Sequence, residues 1–286
     1  MIKLNYLDHI DVKKNEKKTL NELTEEYYEK IILKRFNLFE DNKIRNIWKI
    51  NGKNIFEKEI KKDKKFTQVT IIDLFNKIKK FDSTFNSIEL KDLILAKPNE
   101  ITKYTNTPNT EYKTLIEKTF DYKGKFQTSV ITDFFTDNFN FTTCYYCNKD
   151  FILNFNKPKK TSTFQLDHFY DKGKYPYLAL SFYNLIPSCS TCNSSKVKGS
   201  KDCFKYDSRV GEFENEICKI PNHKDFDFDQ KVKFKLFLTD SCKDLNIKEK
   251  ENIDIKLKER YSNEYEKYIE VFQLNSRYEA HKDIVL

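Results

Sequence analysis

Asp167 and His168 stand side by side in the stretch FQLDHFYD (164–171), and the chain has only three other histidines, His9, His223 and His281. A histidine exchanges a proton close to neutral pH, and the carboxylate next to it is a hard oxygen donor. The pair lies between two Cys-x-x-Cys turns, Cys144-Tyr-Tyr-Cys147 and Cys189-Ser-Thr-Cys192, with 41 residues (148–188) between them. A two-residue gap lets both thiolates of one turn converge on a single tetrahedral Zn²⁺, at about 2.3 Å per Zn–S bond. Two such turns close a four-sulfur site, and a closed site makes its zinc a structural staple. A redox dithiol needs one pair at a helix start rather than two facing pairs. Cys203, Cys218 and Cys242 share no comparable spacing and read as ordinary thiols.

Between and after the cysteine pairs stand further groups suited to chemistry. Phe164 and Leu166 alternate with Gln165 and Asp167, the pattern of a short strand. Asn184 precedes Leu185-Ile186-Pro187 at the exit of an apolar loop. After the second pair, Ser190 or Thr191 can cap a helix that carries Asn193 and Lys196 on one side. Residues 157–205 hold nine lysines against three aspartates, which is +6 of the chain's +8. Such a segment draws a phosphate polyanion with a salt-dependent, largely sequence-independent affinity, and Lys196 and Lys198 are its candidate nucleic-acid contacts. The segment contains no arginine, which argues against bidentate reading of guanine within it.

The joint pattern resembles the HNH endonuclease family, the ββα-metal nucleases, over residues 140–205. Asp167-His168 on the first strand, Asn184 in the connecting loop and Asn193 at the start of the helix carry the resemblance. Cys144-x-x-Cys147 and Cys189-x-x-Cys192-Asn193-x-x-Lys196 look like the zinc-stapled version of that motif. The resemblance implies His168 as general base, Asp167 and Asn193 as ligands of a catalytic Mg²⁺ or Mn²⁺, and Asn184 as the residue that orients His168 through backbone contacts. Many members carry a third histidine where this chain has Asn193, a departure that bears on the choice of metal. The ending FQLNSRYEAHKDIV is similar to helical tails of bacterial HNH proteins, some of them from phage-defence systems of the Septu type.

The chemistry is consistent with those roles. Phosphodiester hydrolysis needs an activated water, charge relief on the transition state and help for the departing oxygen, and a divalent ion supplies the last two. A histidine with a pKa near 6.5 deprotonates water close to neutrality. Adjacent strand residues point to opposite faces, so Asp167 and His168 can approach one phosphate only where the strand ends or bends. The target read from this is nucleic acid, double-stranded DNA in the first instance. A non-cleaving zinc-dependent nucleic-acid-binding module, or a partner-binding subunit of a defence complex with its own activator, is the competing reading.

These groups must be positioned by the rest of the chain. LNELTEEYYEKIILKRFNLF (20–39) and FTQVTIIDLFNKIKKF (66–81) place apolar residues at helical spacing, with the lysine run 57–65 between them as a solvated face or loop. The polar, proline-containing stretch 97–112 reads as a loop or linker, and SVITDFFTDNF leads into the first cysteine turn. KVKFKLFLTD (231–240) alternates as a short strand, whereas IDIKLKERYSNEYEKYIEVFQL (253–274) reads as helix. The ending HKDIVL has no cap or breaker, as in a chain cut short. The expectation is an α+β protein: a helical region over 1–125, a zinc-stapled ββα-metal module over 126–210 and a helical region over 211–286.

Aromatic residues make up 15% of the 286, so rings can fill the core despite an apolar fraction of 38%. The N-terminus has no apolar h-region, and no segment reaches the roughly 18 apolar residues needed to span a bilayer. The sequence therefore points away from a membrane and to the cytoplasm, where thiols stay reduced and paired cysteines hold metal.

Overall fold

The computed structural model describes residues 3–15, 18–33, 49–50, 53–54, 70–105, 110–122, 130–155, 161–203, 219–240, 242, 250–260 and 262–280. The 57–65 lysine run, residues 34–39, Cys218, His281, Lys157, Lys159, Lys160 and Lys205 lie outside them.

Capping boxes start the first two long helices. Thr19 accepts from the backbone of Glu22, whose carboxylate bonds back to the Thr19 amide at 2.7 Å, and α1 runs Leu20–Glu26. It continues as a π-helix over Tyr27–Leu33 that buries Tyr27, Tyr28 and Ile32. Thr70 and Asp73 form the same box at the start of α2, Ile71–Lys79, which buries Ile71, Leu74, Phe75 and Ile78. The short α3 (Leu90–Ile94), α4 (Thr110–Thr119) and α5 (Val130–Asn138) follow. The expected 97–112 loop is therefore shorter than its polarity suggests, because α4 begins inside it.

The strands pair as four antiparallel two-stranded sheets among the described residues. They are β1 (Lys49–Ile50) with β2 (Lys53–Asn54), β3 (Asn154–Phe155) with β4 (Thr161–Ser162), β5 (Gln165–His168) with β6 (Leu185–Ser188), and β7 (Val232–Leu238) with β8 (Ile253–Glu259). The short α6 (Phe228–Lys231) leads into β7, and α7 (Glu266–Val271) and α8 (Leu274–Glu279) follow β8. The molecule is thus mixed α and β, with its sheets small and local.

Two expectations need correction. Residues 190–200 form successive turns, not the helix that would follow the second cysteine pair. Ser194 bonds back to the Thr191 carbonyl at 2.8 Å, a local bond that competes with helix propagation, and Gly199 adopts φ +50°. Among the described residues, the C-terminal region is also not mainly helical, since residues 253–259 extend as β8. Ile253, Ile255 and Leu257 are buried there while Lys256 and Lys258 are exposed, so the local period is two.

Aromatic rings join the segments into one core. Tyr6, Phe135, Phe139, Phe141 and Phe182 contact one another, with Phe135 stacked on Phe182 at 5.1 Å. The N-terminal region grips the start of β6 and the loop before it directly. Tyr6 donates to the Leu185 carbonyl at 2.7 Å, Tyr27 to that of Leu180 at 2.9 Å, and Tyr177 in the loop donates to Asp82 at 2.9 Å.

Candidate functional site

The structure brings the four predicted cysteines together. Cys144, Cys147, Cys189 and Cys192 are all buried, and their sulfur atoms lie within 4.8 Å of one another. Each turn is shaped by its own backbone. The Cys144 amide donates to Asp150 O at 2.9 Å, and Asn148, at φ +50°, donates to Cys144 O at 2.8 Å. In the second turn the Cys192 amide points at Cys189 Sγ, 3.4 Å away. Four soft sulfur donors at this spacing suit a tetrahedral ion such as Zn²⁺, and the donor set fits it.

The far end of the chain covers these cysteines. Arg277 on α8 donates to Cys192 Sγ at 3.1 Å and reaches Asp150 at 3.4 Å, while the Tyr278 hydroxyl donates to Cys147 O. Burial works against the Arg277 charge, but the cysteine sulfurs, Cys192 foremost, together outweigh it and raise the guanidinium pKa. Phe272 stacks on Tyr146, one of the two residues between the first two cysteines, at 4.3 Å. Sequence reasoning gave Arg277 and Tyr278 no role at the cysteines, although both lie in the quoted FQLNSRYEAHKDIV ending.

Asp167 and His168 occupy the last two positions of β5, opposite Ile186 and Leu185. The backbone bends at Phe169–Tyr170, immediately after them. His168 is 5% exposed. Its Nε2 lies 2.9 Å from Ala179 O, and its ring meets the Tyr122 ring edge-on at 4.4 Å. A carbonyl only accepts, so Nε2 carries the proton and Nδ1 keeps its lone pair. Burial, with Lys172 and Lys198 adding to it, lowers the imidazole pKa to about 3, so the ring is neutral at pH 7.

Asp167 is buried and forms an ion pair with Lys198 at 3.0 Å, and it also accepts from the Tyr146 hydroxyl at 2.7 Å. Burial raises its pKa, against the pull of Lys198 and Tyr146. The Lys198 ammonium is fully buried, and Asp167 keeps it charged despite that burial. Lys198 also donates to His168 O at 2.6 Å. Its expected role as a surface contact for nucleic acid is corrected here: the ammonium meets a buried carboxylate, not solvent. Lys196 is exposed.

Asn184 is completely buried and ties down the loop after His168. Its Oδ1 accepts from the Tyr170 amide at 2.8 Å, and its Nδ2 donates to Tyr170 O and Leu178 O, both at 3.0 Å. Leu178 adjoins Ala179, the partner of His168, so Asn184 anchors the loop one residue before the carbonyl that meets the imidazole. Asn193 donates from Nδ2 to Gln165 Oε1 at 2.9 Å, which places it beside the face of β5 that carries Asp167.

A divalent ion such as Mg²⁺ or Mn²⁺ does not fit Asp167 as these donors stand. The carboxylate charge is already matched by Lys198, and Oδ2 is shared between an ammonium and a hydroxyl. Among the described residues, the one cluster of three or more His, Cys, Asp or Glu groups close enough to hold a metal is the four-cysteine set. Also among them, no helix is long and apolar enough to cross a membrane. No family model, curated protein or solved structure matches the chain.

Proposed function

We propose that the chain is an HNH-type endonuclease that hydrolyses phosphodiester bonds in nucleic acid, double-stranded DNA in the first instance. One observation carries the reading: the 2.9 Å contact between His168 Nε2 and Ala179 O, at the end of a strand that bends immediately afterwards. That bond leaves Nδ1 as the proton acceptor, and Asn184 holds the loop that makes it. His168 takes the proton of the attacking water at Nδ1 as the water oxygen bonds phosphorus and the phosphorus–O3′ bond breaks. The departing oxygen takes a proton from solvent, and Lys196 offers an exposed cation to the phosphate. Cys144, Cys147, Cys189 and Cys192 hold a structural Zn²⁺, whose contribution is to clamp β6 and the turns around β5. We place the protein in the cytoplasm, where the thiols stay reduced, and assign it to antiphage defence, with an activating protein partner, on the resemblance of its tail.

A second reading has its own support. Asp167 is neutralised by Lys198, and an imidazole with a pKa of about 3 is a weak base. Both favour a zinc-stabilised nucleic-acid-binding module without turnover. Plasmid and oligonucleotide cleavage by wild type and His168→Ala, with Mg²⁺ or Mn²⁺ added or omitted, separates the two. The nuclease reading expects cleavage that His168→Ala abolishes while zinc content and folding persist. Equal activity in the variant removes His168 as base, and an inert wild type on every substrate selects the binding module. The arms with and without added ion decide whether Asp167 and Asn193 take up Mg²⁺ or Mn²⁺.

A further inference from the structure

We propose that the lysine face of the β7–β8 hairpin is a docking strip for single-stranded nucleic acid, apart from the Asp167–His168 pair. The partner class rests on the nucleic-acid reading above. The register sets Lys233 opposite Lys258, Lys235 opposite Lys256, and Phe237 opposite Asp254. Directly opposed residues share a face, so four lysines, the Phe237 ring and one carboxylate, Asp254, stand together on one side of the hairpin. All four lysines are exposed, and Phe237 is 39% exposed.

The pairing is costly without a partner. The Ile255 and Leu257 amides donate outward, to Glu279 at 3.0 Å and Asn275 at 2.6 Å. The two lysine pairs are therefore the hydrogen-bonded ones, with Cα atoms about 5.5 Å apart. Like charges directly opposite destabilise an antiparallel pair, and this hairpin carries two such pairs in succession. Lys256 has Asp254 at 3.6 Å, whereas Lys235 and Lys258 have no ion-pair partner among the described residues.

A polyanion relieves that repulsion, and Phe237 selects which one. Lysines two apart on a strand stand about 6.8 Å apart, a row suited to successive phosphates of one strand. Lys256 lies 5.7 Å from the Phe237 ring centroid, so a flat apolar surface is set among the cations. Bases of a single strand stack on such a ring, whereas an acidic peptide gains nothing from it. The strip is also fixed to the metal centre. Asn275 and Glu279 of α8 hold the edge of β8, and Arg277 and Tyr278 of the same helix hold the cysteine turns.

The test is fluorescence anisotropy of a labelled thymidine oligonucleotide with the full, zinc-loaded chain over a series of salt concentrations. Lys235→Gln/Lys258→Gln is expected to flatten the slope of log K against log salt by about 1.4, at about 0.7 per lost phosphate contact. Phe237→Ala is expected to weaken binding roughly 5- to 150-fold at unchanged slope, with Phe237→Tyr retaining affinity. Thermal unfolding of each variant confirms that these surface changes leave the fold intact. No wild-type binding, or unchanged slope and affinity in all variants, overturns the proposal. Displacement of the oligonucleotide by polyglutamate together with an inert Phe237→Ala also overturns it, in favour of an acidic protein. These variants leave Asp167 and His168 in place, so the two readings fail separately. A chain that binds through the strip without cleaving loses only the nuclease reading, and one that cleaves while the variants bind normally loses only the strip.

Discussion

Asp167 and Lys198 leave water together, and each depends on the other for its charge. Removing one member of a buried pair leaves the other ionised in a poor solvent, which costs about 3–5 kcal/mol. Lys198→Ala is therefore expected to lower the free energy of urea unfolding by about that much, and Asp167→Asn/Lys198→Met to recover most of it. A Lys198→Ala protein within about 0.5 kcal/mol of wild type would show that the pair is not buried in solution. His9 provides a pH dependence. Its Nδ1 donates to Asn140 O at 3.2 Å and its Nε2 accepts from Tyr145 at 2.6 Å, an arrangement that suits the neutral ring. Burial lowers its pKa below the usual 6.5. On acidification the unfolded chain takes the proton first, so stability is full above about pH 6.5 and is lost as pH falls through the folded value. The melting temperature of His9→Gln should fall less than that of wild type between about pH 7 and pH 5. Parallel curves would remove His9 as the cause.

At the scale of elements, α8 has the widest reach for its six residues. Two-stranded hairpins are marginal alone, and β8 gains a covered edge from Asn275 and Glu279. The opposite side of the helix sets a guanidinium against a zinc-type sulfur and a hydroxyl against the neighbouring carbonyl. Outer-shell partners of this kind are worth about 10–100-fold in metal affinity. Arg277→Gln should weaken zinc binding by that factor in competition with a chromophoric chelator, and wild-type affinity would make the contact incidental. The turns after the second cysteine pair belong to this scale too. A sequence with Asn193 and Lys196 three apart is compatible with a helix, yet Lys198 is drawn inward to Asp167 and the chain turns to follow it.

For the whole molecule, the decisive fact is that the cysteine turns sit inside the common apolar cluster. That cluster runs from Leu4 and Tyr6 through Cys144, Cys147, Cys189 and Cys192 to Phe272 and Leu274. Binding of a metal ion by the four sulfurs would then be linked to folding of the chain and not of one loop; in small peptides structural zinc contributes about 10–16 kcal/mol of apparent binding energy. Chelation, or Cys144→Ser, is expected to lower the melting temperature in a single transition seen alike by far-ultraviolet and tyrosine signals. Unchanged zinc stoichiometry in Cys144→Ser would refute the four-sulfur site, and two separated transitions would confine the metal's effect to its own turns.

What the sequence determined by itself is what short-range geometry encodes. Two-residue gaps confine paired thiolates to one turn, and apolar spacing marks α1 and α2. The strand at Gln165–His168 was legible in the same way, through alternation. Tertiary structure alone decided that Lys198 faces a carboxylate instead of a phosphate, that Tyr146 bonds Asp167, and that Arg277 meets a cysteine 85 residues earlier. It also decided that 253–259 extends as a strand, because β7 and α8 were there to pair and cover it. Periodicity and loop length are properties of neighbouring residues, but burial and charge pairing depend on which distant segments the core brings together.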